Sequence, residues 1–105
     1  MNCSIQLPKI TAGNRKPRLF LVGIGGIGMS GLAQLLSYAG YAVAGSDRAI
    51  TAPENQELFD YLRSQGIQLF PQDGSGVKAF RPEMLIASSA VEKGNPDFID
   101  KRFQS

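Results

Sequence analysis

The feature that most constrains this chain is a glycine-rich turn at residues 23–28, GIGGIG, which satisfies the pattern GxGxxG. Residues 19–22, directly before the turn, are all apolar, which is typical of a strand buried on both faces of a parallel sheet. After the turn, apolar residues recur at helical spacing. A GxGxxG motif between a strand and a helix predicts a turn whose backbone binds phosphate groups.

The helix after the turn has one apolar face. Met29, Leu32, Ala33 and Leu36 fall at positions i, i+3, i+4 and i+7, so we expect this face to lie on the sheet. Gly40 is placed to end the helix, because glycine tolerates the left-handed conformation that often follows a last helical turn.

A second strand and a second helix follow. Residues 41–47, YAVAGSD, predict a strand with a polar end. Pro53 fits the first turn of the next helix, where the amide that proline lacks would have no partner within the helix, and Gly66 can end that helix. The inward face expected for this helix consists of Leu58, Tyr61 and Leu62.

The remaining pattern continues this alternation. Residues 67–70 predict a third strand, residues 71–76 a turn and residues 84–87 a fourth strand, and a short helix is expected to begin near Pro96. Strands that alternate with helices imply right-handed crossovers. We therefore expect an α/β fold, a Rossmann-like parallel sheet of four or five strands with helices on both faces.

Composition limits both the domain count and the chemistry. A length of 105 residues, 43% of them hydrophobic, suits one domain, which we place at residues 18–105 after a flexible basic arm at residues 1–17. The formal charge of +2 is too small to require nucleic acid or an anionic membrane as a partner. Histidine is absent and Cys3 is the only cysteine, so we expect neither catalytic nor metal-binding residues in this chain. Without a membrane-length apolar run or a secretory signal, a cytoplasmic location is expected.

The glycine turn is expected to bind a diphosphate. Gly23 would allow the tight turn, Gly25 would let the backbone approach a ligand, and Gly28 would let the helix pack closely on the strand. The first amides of the helix have no partner within it and carry the positive end of the helix dipole, so we expect them to be bare and to bind phosphate. The alternative is that the glycines serve tight packing alone.

Polar residues after two other strands reach the same edge of the sheet. Asp47 can accept hydrogen bonds from ribose hydroxyls, or it can cap the loop that follows. Its neighbour Arg48 can lie against a base or a phosphate, or be solvated. After the fourth strand, Ser88, Ser89 and Ala90 either complete the phosphate site or only end the strand.

The chain is too short for a second half-site. Sixteen residues remain after Ser89, too few for another strand-helix-strand unit. A dinucleotide spans two such halves, so the sequence favours a sugar nucleotide as the ligand. Two alternatives stay open: an NAD(P)-binding module of a regulatory or oxidoreductase protein, and an interaction domain that keeps the fold without the ligand.

Three tracts in order carry a resemblance to a known family. GIGGIGMSGLAQLL at residues 23–36, GYAVAGSD at residues 40–47 and SSAVEKGNPDF at residues 88–98 closely resemble the N-terminal domain of the Mur ligases, which build the peptide of peptidoglycan. Gly25 and Gly28 favour the alanine-adding branch of that family. The resemblance covers residues 19–98, nearly all of the expected domain.

The resemblance implies an ATP-dependent ligase that joins L-alanine to the lactyl carboxylate of UDP-N-acetylmuramate. In that family the N-terminal domain holds the UDP part, a central domain binds ATP and Mg²⁺, and a C-terminal domain helps to place the amino acid. The chain itself would hold no cofactor and would bind without turnover. The residues that the resemblance and the motif assign to UDP are Gly23, Gly25, Gly26, Ile27, Gly28, Met29, Ser30, Ser46, Asp47, Arg48, Ser88, Ser89 and Ala90.

The sequence departs from the family pattern at two points. The family usually has a G-T-H-G-K-T-T tract shortly after the region matched here, whereas no GxxxxGK[ST] occurs in these 105 residues, so no ATP phosphate site is expected. Family members also commonly show Gly-His after the third strand. Residues 70–74 read FPQDG instead, and Gln72 would have to supply the hydrogen bond of that histidine.

Overall fold

The architecture centres on the apolar run that precedes the glycine turn. The computed structural model describes residues 7–8, 16–26 and 28–87. Within them the chain forms four strands and three α-helices, with a short 3-10 turn at Pro53–Asn55 ahead of the second helix. In chain order these are β1 (Arg18–Val22), α1 (Met29–Ala39), β2 (Ala42–Asp47), α2 (Gln56–Ser64), β3 (Gln68–Pro71), α3 (Ser75–Phe80) and β4 (Met84–Ala87).

The four strands form one sheet in the order β3-β2-β1-β4, and every neighbouring pair is parallel. Val22, the last residue of β1, lies opposite Ser46 of β2 and Ala87 of β4. The carboxyl ends of these three strands therefore meet at one edge. The expected α/β class with a parallel sheet is confirmed, with four strands in the described part of the chain.

Helices cover both faces of the sheet, as expected. Leu19 and Leu21 of β1 pack in one buried cluster with residues of α1 and α2, whereas Phe20 and Val22 pack in a second cluster with Val77 of α3. Because successive side chains of a strand point to opposite faces, α1 and α2 lie on one face and α3 on the other. The side chains of residues 19–22 of β1 are all fully buried, which explains why this run is continuously apolar.

The structure differs from the sequence prediction at α3 and in the inward face of α2. Residues 71–76 were expected to be a turn, but the turn ends at Gly74 and α3 begins at Ser75. In α2 the buried residues are Phe59 and Leu62, three positions apart, and Tyr61 is 51% exposed. Tyr61 therefore does not belong to the inward face, because it is rotated away from the buried stripe.

The helix ends follow the prediction. Gly40 ends α1 with φ of 111°, and Gly66 follows α2 with φ of 84°, both in the left-handed region. Pro53 occupies the first position of the 3-10 turn that leads into α2. None of the helices in the described part has the length and apolar character needed to span a bilayer.

The described residues of the expected N-terminal arm include three that contact the fold, namely Leu7, Pro8 and Pro17, and the carbonyl oxygen of the buried Pro17 accepts the Ala42 amide at 3.0 Å. Leu7 packs against the larger buried cluster, and the Tyr41 hydroxyl donates a hydrogen bond to the carbonyl oxygen of Pro8 at 2.8 Å. The rest of residues 1–15 lies outside the described residues, as do Ser88, Ser89 and Ala90 and the helix expected near Pro96. Those predictions stay predictions.

Candidate functional site

The site begins where the strand order changes direction. The chain runs outward from β1 to β2 and β3, then crosses the opposite face through α3 to reach β4 on the other side of β1. In open α/β sheets, ligands bind at such a switch point, outside the carboxyl ends of the strands. Here that place lies outside the carboxyl ends of β1 and β4, beside the loop after β1, which is the glycine turn.

The glycine turn is anchored on the end of β2. The amides of Gly23 and Ile24 both donate to the carbonyl oxygen of Ser46, at 2.8 and 2.9 Å, and the amide of Gly26 donates to the carbonyl oxygen of Gly23 at 2.9 Å. Gly23 has φ of 80°, so the tight turn expected at this glycine is confirmed. Ser46 is fully buried, which places it beneath the turn.

The Asp47 carboxylate joins the glycine turn to the loop after β2. Its Oδ2 atom accepts a hydrogen bond from the Gly25 amide at 2.8 Å, and its Oδ1 atom accepts one from the Ala49 amide at 2.9 Å. The second bond is the loop cap that the sequence allowed. A contact between Asp47 and a ribose hydroxyl stays a prediction.

The surroundings of Gly25 and Gly28 differ from each other, and the approach of a ligand to Gly25 stays a prediction. A Cβ atom on Gly25 would lie 2.9 Å from Asp47 Oδ2 and 3.1 Å from the Phe59 ring, so glycine is needed there for contact with protein groups. Within residues 7–8, 16–26 and 28–87, nothing would lie within 4 Å of a Cβ on Gly28, so the expectation that Gly28 allows close packing of the helix on the strand is wrong. Gly28 instead has φ of 83°, a left-handed conformation that disfavours other residues.

Close packing is required instead at Gly45 of β2, which the sequence interpretation did not single out. A Cβ there would lie 2.6 Å from Ile24 Cδ1 and 2.7 Å from the Leu21 carbonyl oxygen. The available signal was a glycine inside an apolar strand, which often marks a close approach of neighbouring groups.

The start of α1 presents fewer bare amides than expected. The Met29 amide donates to the Gly26 carbonyl at 3.0 Å, so the amides of Gly25, Gly26 and Met29 all bind protein oxygens. The next two amides of the helix belong to Ser30 and Gly31. Among the described residues, no side chain caps this helix and none lies within 4 Å of a Cβ placed on Gly31, and the first turn holds no acidic residue. The region suited to an anion is thus narrowed to the first turn of α1.

Two other predicted site residues follow strands of the same sheet. Arg48 is exposed one residue beyond β2, at the same edge of the sheet as the glycine turn. Gln72 follows β3 and is half-buried. Ile27, like the serines after β4, lies outside the described residues. Among the residues that the structure describes, no cluster of His, Cys, Asp or Glu is arranged to hold a metal ion.

Comparisons with known proteins agree with this architecture. Residues 19–102 match the family model described as "Mur ligase family, catalytic domain". The solved structure of UDP-N-acetylmuramate:L-alanyl-gamma-D-glutamyl-meso-diaminopimelate ligase from Neisseria meningitides has a similar fold, with a TM-score of 0.67 at 24% identity. That similarity covers 78% of this chain and 24% of the solved chain.

Two similar curated proteins share the same name. The UDP-N-acetylmuramate--L-alanine ligase of Neisseria gonorrhoeae is 38% identical over 86 residues, and that of Rhodopseudomonas palustris strain TIE-1 is 38% identical over 87 residues. Each match covers 82% of this chain but only 17% of the relative. Since the family model matches most of the sequence, this chain belongs to the Mur ligase family.

Proposed function

We propose that this chain is the domain that binds the UDP portion of UDP-N-acetylmuramate in a ligase that adds L-alanine to that substrate during peptidoglycan synthesis. One observation carries the proposal: the first turn of α1, which none of the described side chains caps, lies at the switch point of the sheet. The similarity to enzymes named UDP-N-acetylmuramate--L-alanine ligase supports the choice of ligand.

In this proposal the pyrophosphate binds at the first turn of α1. The amides of Ser30 and Gly31 donate to its oxygens, and the helix dipole favours its negative charge. The exposed backbone of Gly26 and Gly28 leaves room for close approach. The uridine then lies toward the end of β2, near Asp47 and Arg48, and residues 88–90 close the phosphate from the β4 side.

The resemblance to the Mur ligases implies a reaction that needs ATP and Mg²⁺, and in this proposal neither binds to this chain. No GxxxxGK[ST] occurs in the sequence, and the described residues contain no acidic cluster suited to a metal ion. We therefore assign ATP and Mg²⁺ to other domains of the ligase, which are also its expected partners. The chain alone, expected in the cytoplasm, would bind the substrate without converting it.

A titration followed by ¹⁵N NMR tests the proposed function. With UDP we expect selective shifts at the amides of Gly26, Gly28, Ser30 and Gly31, and weaker responses to ATP and NADH. The Ser75 amide is an internal control, because it starts α3 and already donates to Asp73 Oδ1 at 2.9 Å. A preference for NADH would instead support the dinucleotide-binding alternative, and no response to any nucleotide would support a pure interaction domain.

A further inference from the structure

We propose that Asp47 is a positioning residue of this site, which acts on ligand binding by holding the glycine turn rather than by contacting the ribose. The inference rests on the proposed function, because it concerns the same site. It differs from the role that a carboxylate at the end of a second strand usually suggests, which is to accept hydrogen bonds from ribose hydroxyls.

Both carboxylate oxygens already accept an amide of the protein. Oδ2 binds the Gly25 amide at 2.8 Å and Oδ1 binds the Ala49 amide at 2.9 Å, and Asp47 is partly buried. Hydrogen bonds to an ionised acceptor are stronger than those between neutral groups. A single side chain thus fixes two loops at the carboxyl edge of the sheet, and one of them is the glycine turn.

The packing around Gly25 leaves the turn little freedom at this point. A Cβ on Gly25 would come within 2.9 Å of Asp47 Oδ2 and within 3.1 Å of the Phe59 ring, which is 1% exposed. The turn is therefore held between the carboxylate and the core. The amides of Gly25, Gly26 and Met29 are directed to protein oxygens, and the proposed function leaves the amides of Ser30 and Gly31 for a ligand.

Because Asp47 is negatively charged, the direction in which its removal changes the affinity for an anion distinguishes the two roles. If the carboxylate were only a neighbouring negative charge, its removal would strengthen the binding of an anion. If it positions the turn, its removal weakens binding. Asp47→Asn removes the charge and places an amide group against the amide of Gly25 or Ala49, so one of the two hydrogen bonds is lost.

The ligand series separates positioning from ribose contact. UDP and 2′,3′-dideoxyuridine 5′-diphosphate are titrated into the wild-type chain and into Asp47→Asn. Positioning predicts about tenfold weaker binding of both ligands to the variant, since one lost hydrogen bond to a charged group corresponds to roughly one decade in affinity. Tighter or unchanged binding overturns the proposal, and so does a loss that occurs with UDP but not with the dideoxy compound.

Asp60→Asn is the matched control, because it makes the same charge change on the exposed surface of α2, where Asp60 pairs with Arg63 at 3.2 Å. It is expected to leave both affinities unchanged. Should Asp60→Asn weaken binding as much as Asp47→Asn does, the effect is one of net charge and the positioning role is overturned.

An NMR measurement on the unliganded wild type keeps this inference separate from the proposed function. A scalar coupling through the hydrogen bond between the Gly25 amide nitrogen and the Asp47 carboxyl carbon is expected, with slow exchange of the Gly25 amide proton. Absence of both signatures overturns the positioning role even if UDP binds. If they are present and UDP fails to bind the wild type, the proposed function is overturned and the carboxylate remains a purely structural tie.

Discussion

The starts of α1 and α3 share a backbone geometry but differ in what surrounds them. Each helix follows a glycine in the left-handed region, Gly28 with φ of 83° and Gly74 with φ of 86°. At α3 the first turn is closed: Asp73 accepts the Ser75 amide, and a Cβ on Gly76 would lie 2.7 Å from Phe70. At α1, no side chain in the described part of the chain caps the first turn, and none of its atoms lies within 4 Å of the Cβ positions of Gly28 and Gly31.

The difference shows why a glycine before a helix does not by itself identify a ligand site. The α3 turn uses its glycines to bring the helix against the phenyl rings of Phe20 and Phe70, whose centroids are 6.2 Å apart. The Cβ positions of Gly28 and Gly31 at the start of α1 have no such neighbours among the residues that the structure describes. The glycine pattern occurs at both turns, so it does not identify a ligand site. The two turns differ in the space around their first residues and in whether a described side chain caps their amides.

The largest expected effect is a difference in stability between alanine substitutions at the start of α3 and at the start of α1. Gly76→Ala places a methyl group against Phe70 and Phe20, at 2.7 and 2.9 Å, and is expected to destabilise the fold by about 1–3 kcal/mol. Gly31→Ala makes the same chemical change in open space and is expected to stabilise α1 by about 0.5–1 kcal/mol. Urea denaturation of both variants measures the difference. Equal effects would show that the two turns are packed alike.

A negative charge added to the first turn of α1 is expected to weaken binding without lowering stability. Ser30→Glu adds a carboxylate at the start of α1, which favours the helix but repels an anion. We expect unchanged or slightly higher stability and about tenfold weaker UDP binding, or roughly 1.4 kcal/mol. Ala79→Glu, at an exposed position of α3, is the control and should bind UDP normally. Retained affinity in Ser30→Glu would place the pyrophosphate elsewhere.

The ends of the same two helices give a smaller effect. Gly40 ends α1 in the left-handed region, whereas α3 ends at Arg81, a residue with a side chain at φ of 54°. Arg81→Gly relieves this conformation and is expected to stabilise the fold by about 0.5–1 kcal/mol, after the greater freedom of glycine in the unfolded chain is subtracted. The Arg81 carbonyl accepts a hydrogen bond from Arg18 Nε at 2.8 Å and should keep it. A lower melting temperature would contradict this expectation.

The smallest effect is the pH dependence of the closed turn. Hydrogen bonds from the Ser75 hydroxyl, and then from the Ser75 amide, lower the pKa of Asp73 below its ordinary value of 3.8. A lowered folded-state pKa adds stability above the ordinary value, and this stability is lost as the pH falls through the folded-state pKa. The unfolding free energies of wild type and Asp73→Asn should therefore converge in strong acid. A difference independent of pH would assign the effect to packing.

Sequence patterns predicted the sheet and α1 because their signals extend over many residues. The apolar run 19–22, the glycine turn and the helical spacing after it agree with each other, and the structure has β1, the turn and α1 in those places. The six residues of α3 include Gly76 and are too few to show a helical period, so the pattern resembled a turn. Tyr61 was misplaced because Phe59, two positions earlier, takes the buried position.

The site was predictable in kind but not in detail. The motif located the turn, yet spacing does not reveal which glycine is packed and which is open: the close packing expected at Gly28 is found at Gly45, to which no role had been assigned. The hydrogen bond between Gly25 and Asp47 joins residues 22 positions apart, and only the pairing of β1 with β2 brings them together. Such long-range contacts depend on strand register, which no local pattern encodes.

The two hydrogen bonds to the Ser46 carbonyl oxygen make the shape of the glycine turn depend on the register of β2. One carbonyl oxygen receives both the Gly23 and the Ile24 amides, and the next residue along supplies the carboxylate that holds Gly25. If β2 slipped by one position, its side chains would exchange faces, and the carboxylate would leave the loop on the far side of the sheet. A chain with β2 out of register would thus lose both the hydrogen bond from Gly25 to Asp47 and the shape of the glycine turn. A glycine turn of the observed shape therefore requires the correct pairing of β1 with β2.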